Sequence, residues 1–257
     1  MTENQPCIDS AKREPPSAMN RENIVDLIQL KKSVYQANME LHERGLVLFT
    51  FGNVSGVDRK HNLLVIKPSG VSYDALSPEN MACVSLATGK VIGSDLYPSS
   101  DTPTHLELYR AFAGCGGIAH SHSEYATACA QARTSIRCMG TTHADYFFGD
   151  IPVTREMTRV ETTGNYEKNT GLVITETFQQ INPEEIPAVL VSNHGPFVWG
   201  RNPQEAVYHA AIVEFLAKME IHIRKLNPEA PRPSRHLIAK HYLRKHGADA
   251  YYGQRKK

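Results

Sequence analysis

Between residues 22 and 44, apolar side chains recur at three- and four-residue intervals (Ile24, Leu27, Ile28, Val34, Ala37, Leu41), and Gly45 follows. That spacing predicts one amphipathic helix with a glycine stop. Short β-rich runs at Leu46–Phe51, Leu63–Ile66, Met81–Leu86, Ile118–His122 and Ala188–Val191 predict strands. Helices are predicted to open at Thr102-Pro103, at Ser123, at Asn202-Pro203 and near Ser234. A hydroxyl or amide before a helix satisfies its first N–H groups, and proline loses nothing in the first turn. A strand-rich first half with helices interposed points to a layered α/β sandwich rather than a regularly alternating barrel.

Composition narrows the class. At 257 residues with no internal Gly/Ser- or Pro-rich linker, the chain reads as one domain over 21–257 behind a polar tail over 1–20. The tail carries three prolines and no apolar periodicity, so it is expected to be disordered, and it holds no apolar core of a secretory signal. No stretch reaches the about eighteen apolar residues a membrane span requires. Lysine plus arginine (28) nearly cancels aspartate plus glutamate (27), and a net charge of +1 gives no electrostatic footprint for nucleic acid. The five cysteines (Cys7, Cys83, Cys115, Cys129, Cys138) form no Cys-x-x-Cys pair, which argues for reduced, buried thiols and a cytoplasmic setting.

Candidate chemistry centres on His120-Ser121-His122 at the end of the run Gly117-Ile118-Ala119. In a strand, side chains two apart share a face, so both rings can grip one ion. Asp101 upstream and His194 downstream complete a nitrogen and oxygen set that suits Zn²⁺, with Mn²⁺ or Co²⁺ as alternatives. His105 competes for the ion, one helical turn after Asp101. It ranks below His194, whose neighbour Gly195 allows a sharp turn that aims the ring inward. Three turns, Gly52-Asn53-Val54-Ser55, Lys67-Pro68-Ser69-Gly70 and Ser99-Ser100, offer N–H groups and hydroxyls of the kind that hold a phosphate monoester. There is no Gly-x-Gly-x-x-Gly and no Gly-Lys-Ser/Thr loop. His209 reads as a packed core or interface histidine. The Tyr251-Tyr252 pair, on spacing alone, reads as an anchor for the tail.

Taken together, GNVS (52–55), KPSG (67–70), PSSDTPTH (98–105), HSH (120–122), TTHADYF (141–147), HGPF (194–197) and KHYLRKHGADAYYGQ (240–254) resemble the L-ribulose-5-phosphate 4-epimerase family of the class II aldolase superfamily. The resemblance runs from about residue 25 to residue 254 and excludes the N-terminal tail. It implies a single-domain α/β/α sandwich on a largely antiparallel sheet and Zn²⁺ held by Asp101, His120, His122 and His194. It further implies phosphate held by Gly52, Asn53, Ser69, Gly70, Ser99 and Ser100, with Asp145 and Tyr252 as an acid/base pair supported by Thr141, Glu167 and His241. The implied assembly is a cytoplasmic homotetramer in which Asp145 and Tyr252 reach a neighbour's metal. Its implied activity is epimerisation at C4 between L-ribulose 5-phosphate and D-xylulose 5-phosphate, as in arabinose catabolism. A class II aldolase cleaving a phosphorylated ketose is the alternative. Three neutral imidazoles leave the ion electrophilic, which makes Asp101 the displaceable ligand.

Overall fold

Alternation along the strands decides which helices cover which face. The structure, a computed structural model, describes residues 21–93 and 96–252, with side chains from residue 26 onward; the tail over 1–20 and Cys7 lie outside the described residues. Six strands, β1 (Asn53–Asp58), β2 (Leu63–Ile66), β3 (Ala82–Ser85), β4 (Gly117–His120), β5 (Ala188–Leu190) and β6 (Pro196–Gly200), form one sheet. Its order is β3-β2-β1-β4-β6-β5, and every neighbouring pair is antiparallel. Eight helices are described: α1 (Arg21–Glu43), α2 (Thr102–Ala111), α3 (Glu124–Gln131), α4 (Thr141–Ala144), α5 (Arg159–Thr163), α6 (Tyr166–Thr177), α7 (Pro203–Leu226) and α8 (Arg235–His246).

Val54, Val65, Cys83, Ala119 and Val198 face a core shared with Val34, Ala37 and Leu41 of α1, Ala126 and Ala130 of α3, and Val207 and Val213 of α7. Their strand neighbours Leu64, Val84, Ile118, Phe197 and Trp199 pack against Leu106, Leu108 and Tyr109 of α2 and Ile174 of α6. Period-two alternation buried on both faces yields three layers, so the expected α/β/α sandwich on an antiparallel sheet is the observed fold. The four predicted helix starts are found, and at α7 a side-chain cap holds the start. Asn202 accepts the Glu205 N–H (2.9 Å) at the start of α7, with Pro203 in its first turn; such a cap contributes about 1 kcal/mol. Cys83, Cys115, Cys129 and Cys138 are free and buried, as expected.

Several local expectations need correction. Residues 46–51 are not a strand: Leu48, Phe49 and Phe51 are exposed, and Phe49 takes a positive φ of 53°, so the run turns outward instead of pairing. The first strand begins at Asn53, inside what reads as a turn. Its polar side chains are buried because partners satisfy them, Ser55 with His105 (2.7 Å) and Tyr109 (2.8 Å). β4 ends at His120, so His122 lies beyond the strand. β6, α4, α5 and α6 are further elements beyond those the sequence pattern predicts.

Candidate metal centre and the cluster around Asp145

Three imidazoles converge at one end of the sheet: the ligand atoms of His120, His122 and His194 all lie within 4.8 Å of one another. His120 closes β4, stacks on Phe197 (ring centres 4.1 Å apart) and donates Nδ1–H to the Pro196 carbonyl (2.9 Å). A carbonyl only accepts, so this bond fixes the tautomer and leaves the Nε2 lone pair for a cation. His194 sits in the turn between β5 and β6, closed by its own N–H to the Val191 carbonyl and by the Val191 N–H to the Gly195 carbonyl. The left-handed residue of that turn is Asn193 (φ 61°), not Gly195. Glycine is needed at 195 for close approach, since a Cβ there would stand 2.8 Å from the Ser121 carbonyl oxygen. Burial and the neighbouring imidazoles hold His194 and His122 below the ordinary histidine range, in the neutral form that ligates. Three convergent imidazoles, one with its tautomer fixed by a carbonyl, fit a divalent cation.

Asp101 caps α2 without using its carboxylate as a cap. Its Oδ2 accepts from Asn53 Nδ2 (2.7 Å) and stands 4.0 Å from His120 Nε2. Burial pushes this carboxyl upward, but His120, His105 and the Asn53 bond outweigh it and hold it low. His105 is not one of the imidazoles whose ligand atoms converge. It is fully buried, bonded through Nδ1 to Ser55, and pushed down to about 3 by burial.

The three expected phosphate turns lie together beside the triad. The Ser69 N–H bonds the Tyr97 carbonyl, the Ser99 N–H bonds the Lys67 carbonyl, and Pro68 bridges to Pro98. Asn53 Nδ2 also donates to Ser99 Oγ (3.0 Å), which ties Gly52-Asn53 to Ser99-Ser100, and Gly70 is open to solvent at φ 69°. Gly52 is irreplaceable on two counts: φ is 68°, and a Cβ would lie 2.7 Å from the His120 carbonyl oxygen.

Two residues at this end received no role from the sequence. Lys67 is buried, donates to the Thr50 carbonyl (3.2 Å), lies over the Tyr73 ring, and is pushed down to about 8 by burial. Tyr166 opens α6 with its hydroxyl 3.4 Å from His194 Nδ1. Lys67 stood inside a motif already singled out; nothing local marks Tyr166. Glu167 follows it in α6, and its backbone carbonyl accepts from Thr104.

Asp145 and Tyr252 form a second cluster. Asp145 follows α4, and its N–H bonds the Thr141 carbonyl (2.9 Å). Its carboxylate receives Arg244, His241 (3.0 Å) and Lys245 (3.6 Å), all from α8. Burial raises this carboxyl, but the Arg244 and His241 bonds and the Lys245 charge hold it below the usual range. Tyr252, 61% exposed, lies over Arg244 (5.0 Å) and Lys245 (4.4 Å). Thr141, Asp145, His241 and Tyr252 are therefore brought together. Among the described residues, no hydrogen bond, ion pair or ring contact joins them to the triad within the protomer.

Residues 32–221 match the family described as the class II aldolase and adducin N-terminal domain. An L-fuculose 1-phosphate aldolase is similar at 25% identity, covering 82% of this chain and 95% of that one, with a TM-score of 0.70. YgbL from Klebsiella pneumoniae, a putative aldolase/epimerase/decarboxylase, is 25% identical over 83% of this chain and 98% of its own, with a TM-score of 0.66. L-fuculose-1-phosphate aldolase from Thermus thermophilus is 25% identical over 80% of this chain and 99% of its own, with a TM-score of 0.61.

Proposed function

From the premise that this chain belongs to the class II aldolase and adducin N-terminal domain family, we propose that it is a metal-dependent 4-epimerase interconverting L-ribulose 5-phosphate and D-xylulose 5-phosphate. One observation carries the choice over a simple aldolase: α8 and the segment after it, beyond the family-matched residues, bring a tyrosine to a carboxylate, Tyr252 to Asp145, on one shared pair of cations.

In a 2-ketose phosphate the C4–H is not acidic, but the C4 hydroxyl is β to the C2 ketone. Removing its proton lets the C3–C4 bond break, its electron pair passing into the enediolate of dihydroxyacetone while the other fragment becomes glycolaldehyde phosphate and stays bound. Rotation of that aldehyde and re-formation of the bond on its other face inverts C4. Two proton-transfer groups are required, one for each face, and Asp145 and Tyr252 are two such groups. Asp145, held ionised by Arg244 and His241, serves as the base in one direction. Tyr252 serves the opposite face.

His120, His122 and His194 would hold the cation, Zn²⁺ by donor type, with Asp101 as the displaceable fourth group. When bound, a divalent cation there polarises the ketose oxygens and neutralises negative charge as the carbon–carbon bond breaks. The turns at Gly52-Asn53, Ser69-Gly70 and Ser99-Ser100 anchor the phosphate while the aldehyde rotates, and Lys67 supplies counter-charge beneath them. Asn53 has a second duty, since its amide N–H groups already hold Asp101 and Ser99. Thr141, Glu167 and His241 are supporting polar groups.

Among the described residues no contact joins the acid/base cluster to the triad within one protomer, and His122 is exposed beside the exposed Phe51 and Phe49. Both features support a homotetramer in which each site combines one subunit's metal with its neighbour's Asp145 and Tyr252. Replacing Tyr252 by Phe tests the assignment. Epimerisation in a coupled assay on L-ribulose 5-phosphate is expected to fall about 100-fold or more, with metal content and assembly unchanged. Wild-type turnover would remove the tyrosine from the reaction.

A further inference from the structure

We propose that Arg244 is the positioning residue that sets Asp145 and Tyr252 in register with each other. The inference rests on the reading of those two groups as the proton-transfer pair. Arg244 grips both. Its Nη2 donates to Asp145 Oδ1 (2.9 Å) and Oδ2 (2.8 Å) and its Nε to Oδ1 (3.1 Å), while the guanidinium lies 5.0 Å from the centre of the Tyr252 ring. Its backbone carbonyl also accepts the N–H groups of Tyr251 (3.0 Å) and Tyr252 (3.1 Å). One residue of α8 thus sets the plane of the carboxylate and the place where the chain leaves the helix with the tyrosine.

The other charged and titratable neighbours do not duplicate this role. His241 touches only Oδ1 (3.0 Å), and His246 bonds the Asp145 backbone carbonyl (2.9 Å). Lys245 stands 3.6 Å from Oδ2 and lies over the rings of Tyr252 and Tyr146, the latter bonded to Tyr208 of α7 (3.0 Å). An ammonium is a point charge on a flexible stem, whereas a guanidinium is a rigid fork that fixes both carboxylate oxygens. Both partners are largely withdrawn from water, with side chains 24% and 14% exposed for Arg244 and Asp145. The fork also distinguishes the two oxygens. Oδ1 accepts three hydrogen bonds and Oδ2 accepts one, so Oδ2 keeps a lone pair for a substrate proton.

The test compares Arg244→Gln and Arg244→Lys in the full-length, metal-loaded protein, alone and in an Asp145→Asn background. Arg244→Gln is expected to lower kcat about 10- to 100-fold through misplacement, with KM changed less than about twofold. The Asp145 carboxyl, followed by ¹³C NMR, is expected to titrate higher, because the Arg244 bonds that hold it low are lost. Arg244→Lys restores the titration but not kcat, because it returns the charge without the fork. Added to Asp145→Asn, Arg244→Gln costs less than about a further twofold, because its effect runs through the missing carboxylate. Wild-type kcat and titration in Arg244→Gln, full kcat in Arg244→Lys, or an undiminished loss on top of Asp145→Asn would each overturn the proposal. Wild-type turnover by Asp145→Asn and Tyr252→Phe would instead sink the acid/base reading itself.

Discussion

His120 shows how one side chain is prepared for a cation before any arrives: strand register places it, Phe197 stacks on it, and the Pro196 carbonyl takes its only N–H. His122, past the strand end and exposed, has no such support. In the proposed site its contribution is the bond it would offer the ion. His122→Asn is expected to lower metal affinity by more than the roughly 10- to 100-fold typical of outer-shell changes. Asp101→Asn, at a carboxylate already committed to Asn53, is expected to cost less. Equilibrium dialysis measures both, and equal affinities would remove the distinction between ligand and displaceable neighbour. The imidazoles were legible because His-x-His survives a misjudged strand end. The aiming of His194 was not, because the left-handed residue is Asn193 and glycine serves the packing. Tyr166 was invisible because only the tertiary fold carries α6 to the β5–β6 turn.

At the scale of elements, α4 shows what burial of a titratable group costs. His143 is buried, donates Nε2–H to the Gly149 carbonyl (2.7 Å), and is pushed down from 6.5 to about 4 by burial, against the opposing effect of that bond. Between those pH values the unfolded chain binds a proton that the folded chain refuses. Stability therefore rises with pH through the window and falls on acidification, by about 3 kcal/mol at its lower edge. His143→Gln, which keeps an N–H donor, is expected to flatten that slope in urea unfolding across the window; an unchanged slope would show that His143 does not titrate there. Helix starts were legible from Thr102-Pro103, Ser123, Asn202-Pro203 and Ser234 because boundary residues and first-turn prolines are local signals, although of these only Asn202 makes a side-chain cap bond. β1 was not, because Asn53 and Ser55 are polar residues made burial-compatible by partners far along the chain, Asp101, His105 and Tyr109. The run at 46–51 failed the other way: Leu46 and Val47 are buried, but Leu48, Phe49 and Phe51 are apolar yet exposed.

For the whole molecule, the family resemblance gave the three-layer sandwich in advance, and local sequence alone gave only a layered α/β arrangement. It gave no hint that the basic face of α8 would gather around one carboxylate. Among the described residues, no helix is long and apolar enough to cross a membrane. Sites shared between subunits make a prediction that single-subunit sites do not. Mixing inactive His122→Asn and Tyr252→Phe chains and allowing subunit exchange is expected to restore about a quarter of the wild-type sites, each combining an intact triad with a neighbour's intact tyrosine. Mixtures that stay inactive despite exchange, verified by native mass spectrometry, would place the complete site in one chain.

In the proposed reaction the C3–C4 bond is broken and then remade with the phosphate-bearing fragment retained. Product analysis by NMR after incubating L-ribulose 5-phosphate with the zinc-loaded protein tests it directly. An equilibrium mixture with D-xylulose 5-phosphate is expected, with no build-up of dihydroxyacetone or glycolaldehyde phosphate; accumulation of both fragments without D-xylulose 5-phosphate would rule out epimerisation.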